Sequence, residues 1–429
     1  MLAHRATIPL RSGMTCHSSR LFPHRPVHYG WIIVLVGFLV LFACFGLARY
    51  AYAMLLPAMQ SGLQLSYDQT GYIGTGNFTG YLLSVLLVPP ALRRIKPRTA
   101  ITAGLLLISL ALLLISRSTG FWQVFCLYTL AGIGGGFANI PLMLLVTYWF
   151  HRSKRGRALG LAIGGNGAGI VLAGLLIPYL NRNFGAVGWR LGWLVLGMIC
   201  LGVTLLAGLL LRNSPAEMGL EPIGESANSL PEQFVSHERA SDALLLLRLG
   251  VIYAAFGATF MIYGTFLVTT MVREYQLSEV TAGFYWSWAG LFSLFSGVLF
   301  GGLSDRIGRK YGLALVLLVQ TVAYLLVGLK LGGLWLMVSI LLYGSAVFAI
   351  PAIMTAAVAE YLGLARAASA FATITLFFAA GQSIGPAVAG ILARSSGSFS
   401  SGYLLAALLT LLGGLVAMSL PRPQIHPVT

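Results

Sequence analysis

Gly301-Gly302-Leu303-Ser304-Asp305-Arg306-Ile307-Gly308-Arg309-Lys310 joins two apolar runs, 281–303 and 311–329, with one acid, three bases and three glycines. A turn this short between stretches this apolar fits a chain that crosses lipid, reverses and crosses again. Outward from it, the same alternation repeats along the chain. Twelve apolar runs are expected to span a bilayer: 30–59, 71–92, 100–116, 121–150, 158–180, 188–211, 246–271, 281–303, 311–329, 333–359, 367–393 and 402–420.

Composition points the same way. Of 429 residues 58% are hydrophobic and only 9% charged. Soluble domains carry about 25% charge, and no soluble fold could hide this much apolar surface. The net charge of +16 is not a nucleic-acid footprint, because the bases sit in short spacers rather than on a polar domain. With the N-terminus inside, twenty of the 27 Lys and Arg fall on the inner side. Six fall outside (Arg117, Arg182, Arg190, Arg273, Lys330 and Arg394), and Arg49 lies within a span. That excess predicts both termini in the cytoplasm.

The predicted organisation is a disordered basic tail (1–28), a six-helix bundle (29–212), a cytoplasmic linker (213–245), a second six-helix bundle (246–420) and a short tail (421–429). The first tail lacks the apolar core of a cleaved signal peptide, and Met14 is an alternative start. The linker holds six of the eleven acids. Internal repetition supports two related halves. Phe45-Gly46 matches Phe256-Gly257, Gly71-Tyr72 matches Gly283-Phe284, and Arg94-Ile95 matches Arg306-Ile307, at offsets of 211 to 212. Gly165, Asn166, Gly169 and Gly174 match Gly381, Gln382, Gly385 and Gly390 at 216.

The stretch 301–310 resembles the signature loop of the major facilitator superfamily, G-x-x-x-D-R-x-G-R-R/K. The resemblance runs from about residue 29 to 420. It includes Pro57-Ala58-Met59, Arg155-Gly156-Arg157-Ala158, Gly188-Trp189-Arg190 and Pro215-Ala216-Glu217-Met218-Gly219-Leu220. Ala48-Arg49-Tyr50-Ala51-Tyr52 with Leu56-Pro57-Ala58-Met59 is similar to a bacterial subgroup, the YbfB/YjiJ-like transporters. The resemblance implies an all-α membrane protein with twelve transmembrane helices in two pseudo-symmetric six-helix bundles. It further implies a monomeric secondary transporter of the bacterial inner membrane, working by alternating access. In the signature loop the glycines would allow a tight turn and close helix contact. Asp305 would accept hydrogen bonds at a neighbouring helix N-terminus. Asp305, Arg306, Gly308 and Arg309 are thus candidate cytoplasmic-gate residues.

Two departures stand out. The first-half counterpart of Asp305 is Arg93, so that half has lost its acid. Tyr128 and Thr129 occupy the region where many proton-coupled members carry an Arg, which weakens a drug-antiport reading. Glu360, at the end of the tenth span, is expected to pair with Arg93 or Arg94 and replace the lost acid.

Arg49 is the fully intramembrane charge. A cation at that depth costs several kcal/mol unless it meets water or a partner, and no carboxylate lies in the neighbouring spans. One reading is an Arg that snorkels or caps carbonyls. The other is a planar fork for a carboxylate or phosphate. Tyr52 shares its face. Further substrate-contact candidates are Asn139, Asn166, Tyr263, Trp286 and Gln382, with Asn77, Thr265 and Tyr343 behind them. For each, an interhelical hydrogen bond is about as plausible. Trp286 and Trp288 could also mark the outer interface.

The expected function is transport of a small solute, an organic anion such as a monocarboxylate. Export of neutral or hydrophobic compounds and a non-transporting receptor are the alternatives. Coupling would come from a proton or from a counter-substrate. No cofactor, metal set, nucleophile–His–acid constellation or phosphate loop is expected. Cys16, Cys44, Cys126 and Cys200 lack metal spacing, and the Gly-rich clusters 132–136 and 164–169 read as helix packing.

Overall fold

The computed structural model describes residues 28–224 and 240–421. The expectations for the tail up to 27, for linker residues 225–239 and for 422–429 fall outside them. Twelve helices run antiparallel: α1 (Tyr29–Leu63), α2 (Tyr67–Leu92), α3 (Pro97–Ile115), α4 (Phe121–Trp149), α5 (Arg152–Phe184) and α6 (Gly188–Leu210), then α7 (Ala240–Arg273), α8 (Glu279–Ile307), α9 (Arg309–Gly328), α10 (Leu334–Leu362), α11 (Leu364–Ser396) and α12 (Ser400–Met418). Ten stretches are long and apolar enough to cross a membrane, and one of these, Lys154–Leu210, contains both α5 and α6. The remaining helix, α2, has Asp68 and Gln69 in its first turn and carries Asn77. Even the shortest, α3 and α12 at 19 residues each, reach about 28 Å, enough for the hydrocarbon core.

Two helices are irregular. In α1, residues Phe42–Tyr50 wind as a π-helix between α-helical turns, where Gly46 lies against Gly169. In α10 the helix breaks at Val347 and Phe348, and Ser296 Oγ accepts the freed Phe348 N–H at 2.9 Å. The signature turn is carried by Gly308 at φ +93°, a conformation favouring glycine. Gly301 and Gly302 lie inside α8 with no neighbour within 4 Å of a Cβ position. The expected close contact is therefore absent at these two residues.

One end of the molecule, here the linker face, holds the starts of α1 and α7 and the ends of α6 and α12. Tyr29 donates to Leu210 O, Arg248 to Ser419 O, and Lys310 to Met418 O and Leu420 O. The start of the linker docks there. Ile223 bridges to the α4–α5 turn through His151 N–H and Trp149 O, both at 2.9 Å. Glu217 caps Asn213, whose side chain in turn accepts from Arg98 N–H. At the opposite, far face, the Gly188-Trp189-Arg190 motif finds its role. Trp189 is buried and Arg190 donates to Ser116 O and Ser118 O at the end of α3.

Glycines set the helix approaches, and they do so twice. A Cβ on Gly165 of α5 would run into Phe38 O of α1, and one on Gly381 of α11 would run into Ala254 O of α7. These are matched positions of the two repeats. Gly132, Gly134 and Gly136 pack on Asn77 O, Gly104 O and Ser84, so that cluster serves helix contact.

Contacts between the first and last six helices gather toward the far face. Helix α2 lies along α11, with Thr75 Oγ1 donating to Ser383 O at 2.7 Å. Helix α5 lies along α8, with Ser287 Oγ donating to Val171 O at 3.3 Å.

Candidate functional site

Arg49 is the penultimate residue of the π-helical stretch of α1. Its Nε donates to Asn77 Oδ1 at 3.2 Å, and Asn77 Nδ2 donates to Tyr128 O at 3.0 Å, which fixes the orientation of the amide. Three rings cover the guanidinium. Its carbon lies 4.4 Å from the Phe45 ring centre, 5.0 Å from that of Phe78 and 4.8 Å from that of Tyr81. Desolvated cation–π contacts are worth up to about 2 kcal/mol each, so the rings supply part of the stabilisation that a carboxylate would. Nη1 and Nη2 have no partner among the described residues, yet they are not among the buried unpartnered atoms. The fork edge is therefore the accessible part of the group.

Other predicted residues divide. Tyr52 stacks on Tyr128 at 4.9 Å and donates its hydroxyl to Thr70 O, so it buttresses the site. Asn139 joins it indirectly, donating through Nδ2 to Tyr81 Oη at 3.1 Å. Tyr81 then has its own proton to offer. It lies one helical turn after Asn77, a spacing that could have flagged it, but sequence reasoning missed it along with the Phe45 and Phe78 faces. Tyr263 and Tyr343 are buried in a tyrosine cluster of the second half. Tyr263 Oη meets Ser339 Oγ at 2.8 Å, and Tyr343 donates to Phe260 O. Trp286 is 1% exposed, so it does not mark an interface. Its indole N–H, Asn166 Oδ1 and both amide atoms of Gln382 are buried without partners. Thr265 is buried, against Gly74.

The irregular parts of α1 and α10 meet: Tyr50, beside Arg49, touches Phe348 with ring centres 6.0 Å apart. Helix irregularities facing each other in a bundle are common at functional sites.

At the linker face, Glu360 pairs with Arg309 rather than with Arg93 or Arg94. Arg309 Nε lies 2.7 Å and Nη2 2.6 Å from Glu360 Oε1, while Nη1 lies 2.5 Å from Asp305 Oδ1. One guanidinium thus bridges two acids of its own half. Asp305 pairs with that side chain, not with backbone N–H groups as expected. Arg93 and Arg94 are exposed. Arg306, the middle base of the turn, is exposed as well.

At the far face Arg394 of α11 donates to Asp68 of α2 at 2.8 Å, and Asn181 of α5 donates to Glu279 of α8 at 2.7 Å. Arg273 of α7 reaches Ser61 Oγ and Pro57 O of α1. Two clefts of about 620 and 520 Å³ straddle this boundary, lined by Asn181, Arg182, Arg273 and Glu279 among others. Arg49 does not line them. Among the described residues no group of His, Cys, Asp or Glu could hold a metal.

The sequence pattern of a family described as "Uncharacterised MFS-type transporter YbfB" matches residues 41–418. A yeast protein, "Uncharacterized transporter ESBP6" of Saccharomyces cerevisiae, is 27% identical over 59% of this chain, and the match spans 38% of that protein. Mouse "Monocarboxylate transporter 11" is 23% identical over 92% of this chain and 88% of its own length. The crystal structure of a D-xylose-proton symporter superposes with a TM-score of 0.76 at 16% identity, covering 92% of this chain and 99% of the other.

Proposed function

The chain belongs to the major facilitator superfamily, in its YbfB-type family of secondary transporters, and from that premise we propose that it moves an organic anion, such as a monocarboxylate, by alternating access. The observation that carries the reading is Arg49: a cation inside the bundle, held by Asn77, with an accessible fork and no acid partner among the described residues. A carboxylate matches that fork in charge and plane. The full-length similarity to a protein named as a monocarboxylate transporter supports the same class.

In this reading Arg49 binds the anion, Tyr81 and Asn139 add donors, and Tyr52 holds the arginine's surroundings. Asn166, Trp286 and Gln382 bring their unpartnered polar atoms into play when the halves rock, and Tyr263 shapes the second half. Asp305, Arg306, Gly308, Arg309 and Glu360 hold the gate at the linker face, with Arg93 opposite them. That face is cytoplasmic by its excess of Lys and Arg, and the membrane is a bacterial inner membrane. With acids confined to helix ends and the linker, a proton would travel on the substrate, or a second anion would return in exchange. The protein works as a monomer.

Substrate counterflow in liposomes tests this, preceded by a thermal-stability screen of organic anions, sugars and hydrophobic amines. A ligand at about 100 times its Kd stabilises by roughly 2.7 kcal/mol. An anion should stabilise the wild type and leave folded Arg49→Ala unmoved. Stabilisation by neutral or cationic compounds alone would hand the function to export. Binding without counterflow would make the protein a receptor.

A further inference from the structure

Aromatic rings gather on Arg49 in the first half and at the same level of the second half, across the α2–α11 contact. From the first half come Phe45 and Tyr81, each partly exposed. Facing them in the second half is a ladder along α7 and α11. Tyr253 and Phe378 lie 4.7 Å apart, Phe256 and Phe260 4.7 Å, and Phe256 and Phe378 5.7 Å, with ring planes within 15° to 24° of parallel. Phe378 is partly exposed. Tyr253 is only 4% exposed, yet among the described residues its hydroxyl has no hydrogen-bond partner and it is not sealed from the surface, so its polar tip stays accessible. Helices α2 and α11 run antiparallel in contact, with Thr75 at Ser383 and Gly71 at Pro386, and continuing that register brings Phe378 level with Tyr81.

The chemistry is selective. Three rings crowd the guanidinium carbon within 5.0 Å and its Nε is taken by Asn77, so the Nη edge is what a ligand meets. A small aliphatic anion would engage that edge and leave the surrounding rings unused. A carboxylate carried on a flat ring could do both. Its charge would sit on Nη and the Tyr81 hydroxyl, while its ring lay against Phe378 and Phe45, where offset or edge-on contacts add to simple burial.

We propose that the anion taken by this site is an aromatic carboxylate, bound through Arg49 and Tyr81 in the first half and the Tyr253–Phe378 stack in the second. This rests on the organic-anion reading above. The test is calorimetric titration of the purified full chain with benzoate, cyclohexanecarboxylate, acetate and benzamide. The variants are Arg49→Gln, Phe378→Leu and, should the latter not fold, Tyr253→Leu. Benzoate should bind about tenfold tighter than cyclohexanecarboxylate, which matches it in size and charge but not in ring character. The leucine variant should remove that difference, and benzamide should not bind. Equal affinity for benzoate and cyclohexanecarboxylate, both lost in Arg49→Gln, overturns the aromatic preference and leaves the anion reading standing. Benzamide binding as well as benzoate, benzoate binding unchanged in Arg49→Gln, or no anion binding at all overturns both.

Discussion

Gly174 of α5 and Gly283 of α8 meet backbone to backbone: a Cβ on Gly174 would lie 2.5 Å from Gly283 O, and one on Gly283 would run into Gly174 O. Their repeat counterparts, Gly390 of α11 and Gly71 of α2, meet likewise. A Cβ on Gly390 would lie 2.8 Å from Tyr67 O and 3.2 Å from Gly71 Cα. Both crossings join the first six helices to the last six at the far face.

A methyl group at such a crossing forces the backbones apart, and overpacking costs about 1–3 kcal/mol. Gly283→Ala should weaken the far-closed arrangement and expose the boundary. Maleimide labelling of Ile170→Cys, buried beside Gly290, should rise in the Gly283→Ala background. Gly202→Ala, where a Cβ meets nothing within 4 Å, is the control and should leave labelling unchanged.

The Asp68–Arg394 pair should act as a latch on the same closure. Arg394 is 68% exposed, so solvent screening keeps its worth below about 1 kcal/mol and the effect within roughly fivefold. Asp68→Asn should raise far-side labelling modestly. Exchanging the two charges, Asp68→Arg with Arg394→Asp, should bring it back down. If the double variant labels as strongly as the single, the pair does not latch.

At the linker face the partner of Glu360 is Arg309. Arg309→Glu should impair transport and lower thermal stability, and adding Glu360→Arg should recover part of both. Arg93→Glu with Glu360→Arg should show no such recovery. Rescue through Arg93 instead would mean that Glu360 changes partner during the cycle.

Asn77 holds Arg49 by Nε and anchors itself on Tyr128 O. Asn77→Leu removes a hydrogen bond to a charged group, worth about 1.5–3 kcal/mol, and frees the arginine to turn. Anion affinity should fall by tenfold or more while the protein stays folded. An unchanged Kd would show that Asn77 does not position the fork.

Glu217 should make the linker anchor sensitive to acid. Hydrogen bonds from Asn213, with Lys96 and Arg212 nearby, hold its carboxyl below the ordinary carboxylate value despite partial burial. A depressed folded-state pKa means that the stabilisation is fully present above the unfolded value and is lost as pH falls through the folded one. A spin label at Glu221→Cys, in a background without native cysteines, should loosen only at a pH below the ordinary carboxylate range. Glu217→Gln should be loose at neutral pH.

Much of this architecture was legible in the chain itself. Twelve apolar runs, each about a bilayer long, leave few alternatives, since lipid requires every backbone hydrogen bond to be made within a helix. The offset between Gly174 and Gly390, and between Gly71 and Gly283, pointed to a repeat before any contact was visible. Arg49 was conspicuous because an isolated charge in such a run is costly.

Partners were another matter. Sequence symmetry suggested that Glu360 would replace the lost acid at Arg93, but the fold brings it to Arg309, 51 residues away on a neighbouring helix. The rings over Arg49 come from α1 and α2, and aromatic residues are too common in membrane helices to mark a site by spacing alone. Helix identity follows from local hydrophobicity, which each segment carries by itself. Which side chains meet depends on helix rotation, crossing depth and a π-helical stretch that shifts the register at Arg49, and these are set only when the packed bundle settles all of its contacts together.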